Sequence, residues 1–154
     1  MDTKRGIATM PAHEDPHDAW VTWANAYPTL RAVNLTCAEL QDRTATFLLD
    51  DVPFPANPNG AVNGGIVALA ADQVMGILAV RTAPTGSVPV TAVLSISFHA
   101  PALPPLTLTA EVVPGGRFVS TVEVVVRAAD GTRCSTATGT MAVGSPKRRL
   151  GGEG

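Results

Sequence analysis

One acidic residue interrupts an apolar segment in the middle of the chain. Asp72 is the only charged residue between Gly64 and Val80. A lone carboxylate among apolar side chains is costly, so it usually has either a function or an ion-pair partner. As a functional group it could be a general base that activates water, or a nucleophile that attacks a carbonyl carbon. We therefore take Asp72 as the leading catalytic candidate, with a structural ion pair as the alternative.

Two glycines stand where the apolar segment begins. Gly64 and Gly65 follow a predicted loop, residues 51–60, which contains three prolines, two asparagines and one glycine. In the first turn of a helix, free backbone N–H groups and the helix dipole favour negative charge. Glycine there lets a carbonyl group approach the backbone closely. The N–H of Gly64 could therefore stabilise an oxyanion, a role that is compatible with a purely structural helix start.

The pattern of apolar residues predicts the elements that must position these groups. A helix over residues 63 to about 81 is apolar nearly all the way round, which is typical of a helix buried on every side. A shorter helix is predicted over residues 16–27, with Asp15 as a candidate N-cap. Alternating apolar and polar residues predict antiparallel strands over residues 31–40, 44–49, 90–99, 106–112, 118–127 and 133–143.

These elements predict an α+β architecture. The apolar helix needs a cover, and an antiparallel sheet with one apolar face needs something to wrap, so we expect the sheet to wrap around the helix. This is the hotdog fold, here with a short N-terminal helix added. We predict one hotdog domain over residues 16–145. The polar residues 1–15 and the charged, glycine-rich residues 146–154 are predicted to be flexible tails.

The loop and the helix start resemble the signature of PaaI-type acyl-CoA thioesterases, the hotdog family that includes 4-hydroxybenzoyl-CoA and phenylacetyl-CoA thioesterases. That signature is an Asn, a Gly three residues later, then His-Gly-Gly, and an acidic residue nine positions after the His. Five residues of this chain stand at matching spacings: Asn57, Gly60, Gly64, Gly65 and Asp72. The strands near residues 95–101 and 137–140 also look like the family, so the resemblance extends over roughly residues 30–143.

One position departs from that signature. Asn63 stands where the family has its His, which helps to hold the loop and the substrate carbonyl there. Asparagine can donate a hydrogen bond but cannot titrate near neutral pH. Asn63 is equally open to interpretation as a helix N-cap or as a substrate contact. Asn57 and Gly60 also have an alternative, because Asn-Pro-Asn-Gly is typical turn chemistry.

The resemblance implies hydrolysis of an aryl- or alkyl-CoA thioester to the free acid and CoA, without a metal or a cofactor. Asp72 would be the general base or nucleophile, and Gly64 would polarise the thioester carbonyl through its backbone N–H. Asn57 would orient the water or the thioester. The resemblance further implies three substrate-binding residues: Asn63, Gly65 and Thr91.

CoA is an anionic nucleotide, so basic residues are expected near the mouth of the site. Arg117 matches a position that is often basic in the family. Arg81 and Arg133 are further candidates.

The spacing of the two main candidates predicts an oligomer. Gly64 and Asp72 are eight residues apart in one helix, which separates them by about 12 Å along its axis. They cannot both touch the same carbonyl group from one chain. A catalytic interpretation therefore requires at least a dimer with the active site at its interface. The resemblance implies a homodimer or homotetramer.

Bulk composition argues against several other classes. The net charge of the 154 residues is −2 and the pI is about 5.8, which gives no basic footprint for nucleic acid. Cys37 and Cys134 form no C-x-x-C pair and indicate reduced thiols. Neither a signal peptide nor an uninterrupted membrane-spanning segment is evident. We therefore expect a cytoplasmic protein without a membrane partner.

Two other functions stay open. An enoyl-CoA hydratase or dehydratase of this fold would carry an Asp and His pair on a different loop, a pattern that we do not find. A non-catalytic acyl-CoA-binding protein is favoured by Asn63 in place of the family's His. The retention of Asp72 together with Asn57 argues against it.

Overall fold

The residues described by the computed structural model, 9–54, 56–115 and 119–143, form three helices and six strands. The helices are α1 (His17–Asn25), α2 (Pro28–Ala32) and α3 (Gly64–Thr82). The strands are β1 (Leu35–Leu40), β2 (Thr44–Leu49), β3 (Pro89–Phe98), β4 (Leu106–Val113), β5 (Val119–Ala128) and β6 (Arg133–Val143). The sequence predicts each of these elements except α2.

The six strands form one sheet. Their order is β1-β2-β4-β5-β6-β3, so β1 and β3 are the edge strands, and every neighbouring pair is antiparallel. Burial alternates along β4, as expected for a strand with one covered face. The long helix α3 contacts all six strands. The predicted α+β hotdog fold, an antiparallel sheet around one long apolar helix, is therefore confirmed.

Two details near α1 differ from the predictions. The sequence predicts a helix that Pro28 ends, whereas Pro28 begins the second short helix, α2. Proline suits this first helical position because its φ is already fixed near the helical value. The prediction of Asp15 as the N-cap of α1 is wrong, because Pro16 holds that position. The Asp15 carboxylate instead accepts a 2.8 Å hydrogen bond from the backbone N–H of Ala12 and closes the preceding turn.

The helix α3 has a packed face and an open one, which corrects the expectation of burial on every side. The packed face points into the core and includes Val67, Ala71, Val74, Met75 and Leu78. The other face, which we call the open stripe, is only partly buried and consists of Leu69, Asp72, Gln73, Gly76 and Val80. One sheet can cover one side of a helix, so the second apolar side stays partly exposed in a single chain.

Length and composition alone would also allow α3 to cross a membrane, and 50% of the apolar window is buried within the chain. Core helices commonly meet the same criteria.

A glycine sets the distance between α3 and the sheet. A Cβ atom added to Gly139, in β6, would overlap Sδ of Met75 on the packed face of α3. Met75 and its neighbours on that face are fully buried. The missing side chain at Gly139 therefore permits the close approach of helix and strand.

Candidate active site

Asp72 is held by a hydroxyl group on the edge strand β3. The hydroxyl of Thr91 donates a 2.7 Å hydrogen bond to Asp72 Oδ1 and lies 3.7 Å from Met141 Sδ in β6. Among the described residues, the ion pairs belong to Asp42 and none includes Asp72. A structural ion pair thus gains no support in this part of the chain. No described residue bonds to Asp72 Oδ2, which leaves that oxygen available to another group.

A cavity of about 180 Å³ lies beside this pair. Four polar side chains contribute to its wall: Tyr27, Asp72, Gln73 and Thr91. The rest of the wall is formed by Trp23, Gly76, Ile77, Val80, Pro89 and Met141. Burial raises the pKa of Tyr27 above its ordinary value, so its phenol is protonated at neutral pH. The carboxylate of Asp72 therefore borders a small space whose wall is largely apolar.

Within the described part of the chain, one backbone donor in the first turn of α3 is unpaired. Asn63 is the N-cap: its Oδ1 accepts a 2.9 Å hydrogen bond from the N–H of Gly65, and its backbone carbonyl accepts bonds from the next turn. The N–H of Gly64 has no partner among the described residues. A free N–H at a helix N-terminus is suited to a developing negative charge. Of the two adjacent glycines, only Gly64 has its donor available.

An aromatic ring lies against this helix start. A Cβ atom added to Gly64 would lie 3.1 Å from Cζ of Phe98, at the end of β3. Phe98 is 54% exposed although it is large and apolar. Within one chain, the Phe98 ring therefore occupies the space beside Gly64 that a side chain would fill.

Asn57 organises the loop before α3. Its Oδ1 accepts hydrogen bonds from the backbone N–H groups of Asn59 and Ala61, at 2.9 and 3.1 Å. Gly60 donates its N–H to the Asn57 carbonyl and has a φ of +74°, which glycine adopts without strain. These contacts account for Asn57 and Gly60 as turn residues. The amide N–H groups of the Asn57 side chain have no partner among the described residues.

The two main candidates lie at opposite ends of the contact between α3 and β3. Thr91, near the start of β3, bonds to Asp72, whereas Phe98, at its end, covers Gly64. The structure therefore brings Asp72 together with Thr91, and Asn63 together with Gly65, as separate groups. Gly64 remains about two helical turns from Asp72, as the sequence predicts.

Arg81 is not available to bind a phosphate group. It is buried, and its guanidinium donates hydrogen bonds to the Asp42 carboxylate and the His13 carbonyl. Its Cζ also lies 4.8 Å from the ring centroid of Trp20. The interpretation of Arg81 as a CoA-binding residue is therefore wrong. Through these three contacts Arg81 instead links the end of α3 to the N-terminal segment, to α1 and to the β1–β2 turn.

Arg117 and Arg133 are the other two basic candidates. Arg117 lies outside the described residues. Arg133 begins β6 and is exposed. Because Ser135 pairs with Phe98, Arg133 lies at the same end of the sheet as Gly64. Within the described ranges, no group of three His, Cys, Asp or Glu side chains is arranged to hold a metal ion.

Comparison with known proteins identifies the family. The family model of the thioesterase superfamily matches residues 59–135, half of the chain. The chain belongs to the thioesterase superfamily. The matched segment includes Gly64, Asp72, Thr91 and Phe98, so both ends of the α3–β3 contact lie inside it. No curated protein matches this thioesterase-superfamily chain.

Solved structures share the fold of this superfamily member. A thioesterase from Haemophilus influenzae has a TM-score of 0.77 at 12% identity, covering 89% of this chain and 96% of that one. A Streptococcus mutans protein bound to acetyl-CoA has a TM-score of 0.66 at 23% identity, covering 73% and 90%. A hypothetical thioesterase from Streptococcus pneumoniae, solved with coenzyme A, has a TM-score of 0.67 at 23% identity, covering 76% and 91%.

Three aromatic residues near the candidate groups were not assigned a function by sequence reasoning. Phe98 fits the alternation of an ordinary strand, and Trp23 fits a packing anchor of the first helix. Trp23 and Tyr27 are four residues apart, a spacing that could have predicted that they lie side by side. Their rings contact edge to face, with centroids 5.0 Å apart. No sequence signal indicated that Phe98 would lie against Gly64.

Proposed function

We propose that this protein is an acyl-CoA thioesterase that hydrolyses an aryl- or alkyl-CoA thioester, with Asp72 as general base or nucleophile. One observation carries the proposal: Thr91 orients one oxygen of a carboxylate that borders a cavity and has no cation beside it among the described residues. The free oxygen is what activation of water requires. The superfamily supports the reaction class. The match to the PaaI-type signature supports an enzyme of that type, and it consists of Asn57, Gly60, Gly64, Gly65 and Asp72.

As a general base, Asp72 would accept a proton from water while the water oxygen attacks the thioester carbonyl carbon. The carbonyl oxygen then gains negative charge, which the free N–H of Gly64 would stabilise. The carbon–sulfur bond breaks, and the CoA sulfur takes the proton back from Asp72, giving the free acid and CoA.

As a nucleophile, the Asp72 carboxylate would form an anhydride with the acyl group and release CoA, and water would then hydrolyse the anhydride. A covalent acyl adduct on Asp72, detected by mass spectrometry in quenched single turnovers, would distinguish this route from general-base catalysis.

A complete site would need two chains, which supports a homodimer or a tetramer built from such dimers. The free edge of β3 exposes large apolar side chains, among them Val90, Val93 and Phe98. Antiparallel pairing of β3 with its copy, centred on Ser95, would put the partner's Thr91 beside Phe98. Asp72 of the partner subunit would then lie near Gly64, at an interfacial site.

The nucleotide portion of CoA would leave this interface near the end of the sheet that carries Arg133. We keep Arg117 as the proposed CoA-binding residue on the basis of its position in the sequence. Gly65 and Thr91 would border the bound thioester, as would the exposed amide of Asn63. The weakly acidic composition gives no basic surface for a nucleic-acid partner. A cytoplasmic location without a membrane partner stays a prediction from the sequence.

The release of free CoA from a panel of aryl- and alkyl-CoA thioesters tests the proposal. We expect Asp72→Ala and Asp72→Asn to lower kcat/KM by roughly 10²–10⁴-fold, since each removes the base or nucleophile. Asp72→Asn keeps the size of the side chain, and its Tm controls for misfolding. Wild-type protein that releases no CoA, or variants that remain as active as wild type, would overturn the proposal.

The second candidate is a non-catalytic acyl-CoA-binding protein. Asn63 favours it, because its side-chain oxygen is engaged as a helix cap and it replaces the family's His. Binding of CoA esters by the wild-type protein without CoA release would support this candidate. A hydratase has less support, because His99 bonds to Thr136 and follows Phe98, so its side chain points to the sheet face away from α3.

A further inference from the structure

Gly76 stands one helical turn after Asp72, and no contact within the described chain explains a glycine there. Its φ is not positive, and a Cβ atom added to it would meet nothing within 4 Å. By contrast, a Cβ on Gly64 or Gly139 would meet a neighbouring side chain. Glycine inside a helix costs about 1 kcal/mol relative to alanine. Gly76 therefore destabilises the helix without relieving any steric contact, and the space beside it is open.

That open space is the cavity beside Asp72. Gly76 lines it together with Asp72 and Thr91. We propose that this cavity holds the acyl group of the thioester and that Gly76 sets the upper limit on the size of that group. The inference rests on the proposed function, to which it adds the location and the size of the acyl group.

The path from the reacting carbon to Gly76 has a suitable length. A carbonyl group beside Asp72 would direct its acyl substituent along the open stripe, and four residues of helix rise by about 6 Å. That distance places the bulk of a short acyl group against Gly76. The nucleotide would leave in the other direction, toward the helix start of the second subunit.

The cavity volume favours a compact acyl group. A closed protein cavity of about 150 Å³ is large enough to bind benzene, and the 180 Å³ cavity here, which is open on one side in a single chain, has room for about one six-membered ring. The edge-to-face pair of Trp23 and Tyr27 offers an aromatic wall, and aromatic rings favour such contacts with one another. We therefore infer a compact, ring-sized acyl group and little room for a long unbranched chain.

Two substitutions change the cavity in opposite directions and test this inference. Gly76→Ala adds a methyl group to the wall, and Val80→Ala removes two carbon atoms from it. The readout is kcat/KM for benzoyl-CoA, with acetyl-CoA as the small reference, 2-naphthoyl-CoA as the larger ring system and palmitoyl-CoA as the long chain. Wild type should prefer benzoyl-CoA over palmitoyl-CoA.

Gly76→Ala is expected to lower the benzoyl-to-acetyl ratio of kcat/KM by tenfold or more, since one methylene in a tight pocket changes discrimination by roughly 10–200-fold. Its Tm should not fall, because alanine is the better helix former. Val80→Ala is expected to raise the naphthoyl-to-benzoyl ratio. A lower kcat/KM for bulky substrates at an unchanged Tm would show that the added methyl group fills the pocket.

Different failures have different meanings. If the wild type hydrolyses thioesters but neither variant changes these ratios, the inference is overturned and the proposed function stands. A changed oligomeric state of Gly76→Ala, measured by analytical ultracentrifugation, with unchanged ratios would assign Gly76 to subunit packing and also overturn the inference. If the wild type hydrolyses no thioester, the proposed function fails and the inference fails with it.

Discussion

The packed face of α3 and its open stripe are both apolar, but they differ in what their residues contact. On the packed face, Met75 is fully buried and touches the bare backbone of Gly139. Along the open stripe, Gly76 faces empty space and Asp72 bonds to a hydroxyl of an edge strand. The packed face is complete within one chain. Under the proposed function, the open stripe would gain its remaining contacts from a ligand or a second copy.

This difference separates the expected effects of substitution. A change on the packed face should lower the free energy of unfolding and leave the chemistry of the folded protein alone. A change on the open stripe should alter catalysis or oligomerisation with little effect on stability.

The largest expected effect concerns the division of the active site between two chains. Asp72→Ala and Gly64→Val should each lower thioester hydrolysis by at least 100-fold, because one removes the carboxylate and the other crowds the helix start against Phe98. Mixing the two inactive variants after unfolding and refolding should restore about a quarter of wild-type activity. Random dimer formation makes half of the dimers mixed, and each mixed dimer has one intact site of two.

Free-CoA release from the refolded mixture measures this recovery, with each variant refolded alone as the control. If the mixture stays as inactive as its components, Asp72 and Gly64 do not act from different chains. Sedimentation of the mixture would show whether the dimers had formed.

On the packed face, Gly139→Ala should lower the free energy of unfolding by about 1–3 kcal/mol, the usual cost of extra atoms in a packed core. The added Cβ overlaps Met75 Sδ, which lies within the helix–sheet contact rather than at its surface. Chemical denaturation measures the loss. The kcat/KM per folded molecule should equal that of wild type, and a large fall in kcat at unchanged stability would contradict the division between the two faces.

The sequence was sufficient for the architecture but not for the two faces of α3. Period-2 alternation identified all six strands, and the turn-rich loop before Gly64 marked the helix start. Because Leu69, Val74 and Val80 are equally apolar, no periodicity could show which side the sheet covers. That choice depends on strand order, which places β3 at an edge although it follows α3 directly in the sequence.

For the candidate residues too, the sequence predicted some features and missed others. Asp72 stood out in the sequence because a charge in an apolar helix is rare. Its spacing to Gly64 predicted a second chain if both residues act on the same carbonyl group. Thr91, which bonds to Asp72, stands beside a register shift between Thr91 and Val93 in β3, and period-2 alternation does not reveal such a shift. Arg81 was misinterpreted because its pairing with Asp42 and His13 joins residues that are 39 and 68 positions away. Such long-range partners leave no local pattern.

A smaller effect is expected at Thr91, which we regard as a positioning residue. Thr91→Val keeps the shape but removes the hydroxyl that orients Asp72, and a hydrogen bond to a charged group contributes about 1.5–3 kcal/mol. We expect kcat to fall at least tenfold while KM changes little. Thr91→Ser restores the hydroxyl and should recover most of kcat. Steady-state kinetics checks both variants, and failure of serine to rescue would show that packing, not orientation, was lost.

The smallest expected effect concerns Asn63, which is either a helix cap alone or also a substrate contact. As an N-cap, its Oδ1 accepts a hydrogen bond from Gly65, and Asn63→Ala should therefore lower the free energy of unfolding by about 1 kcal/mol. Asn63→Ser keeps a capping oxygen but removes the amide donor that could reach a substrate carbonyl. We expect the serine variant to retain the Tm of wild type but to lose part of kcat/KM, because the capping bond uses only Oδ1 and the amide would border the bound thioester. A serine variant that keeps both its Tm and its kcat/KM would instead show that Asn63 is only a helix cap.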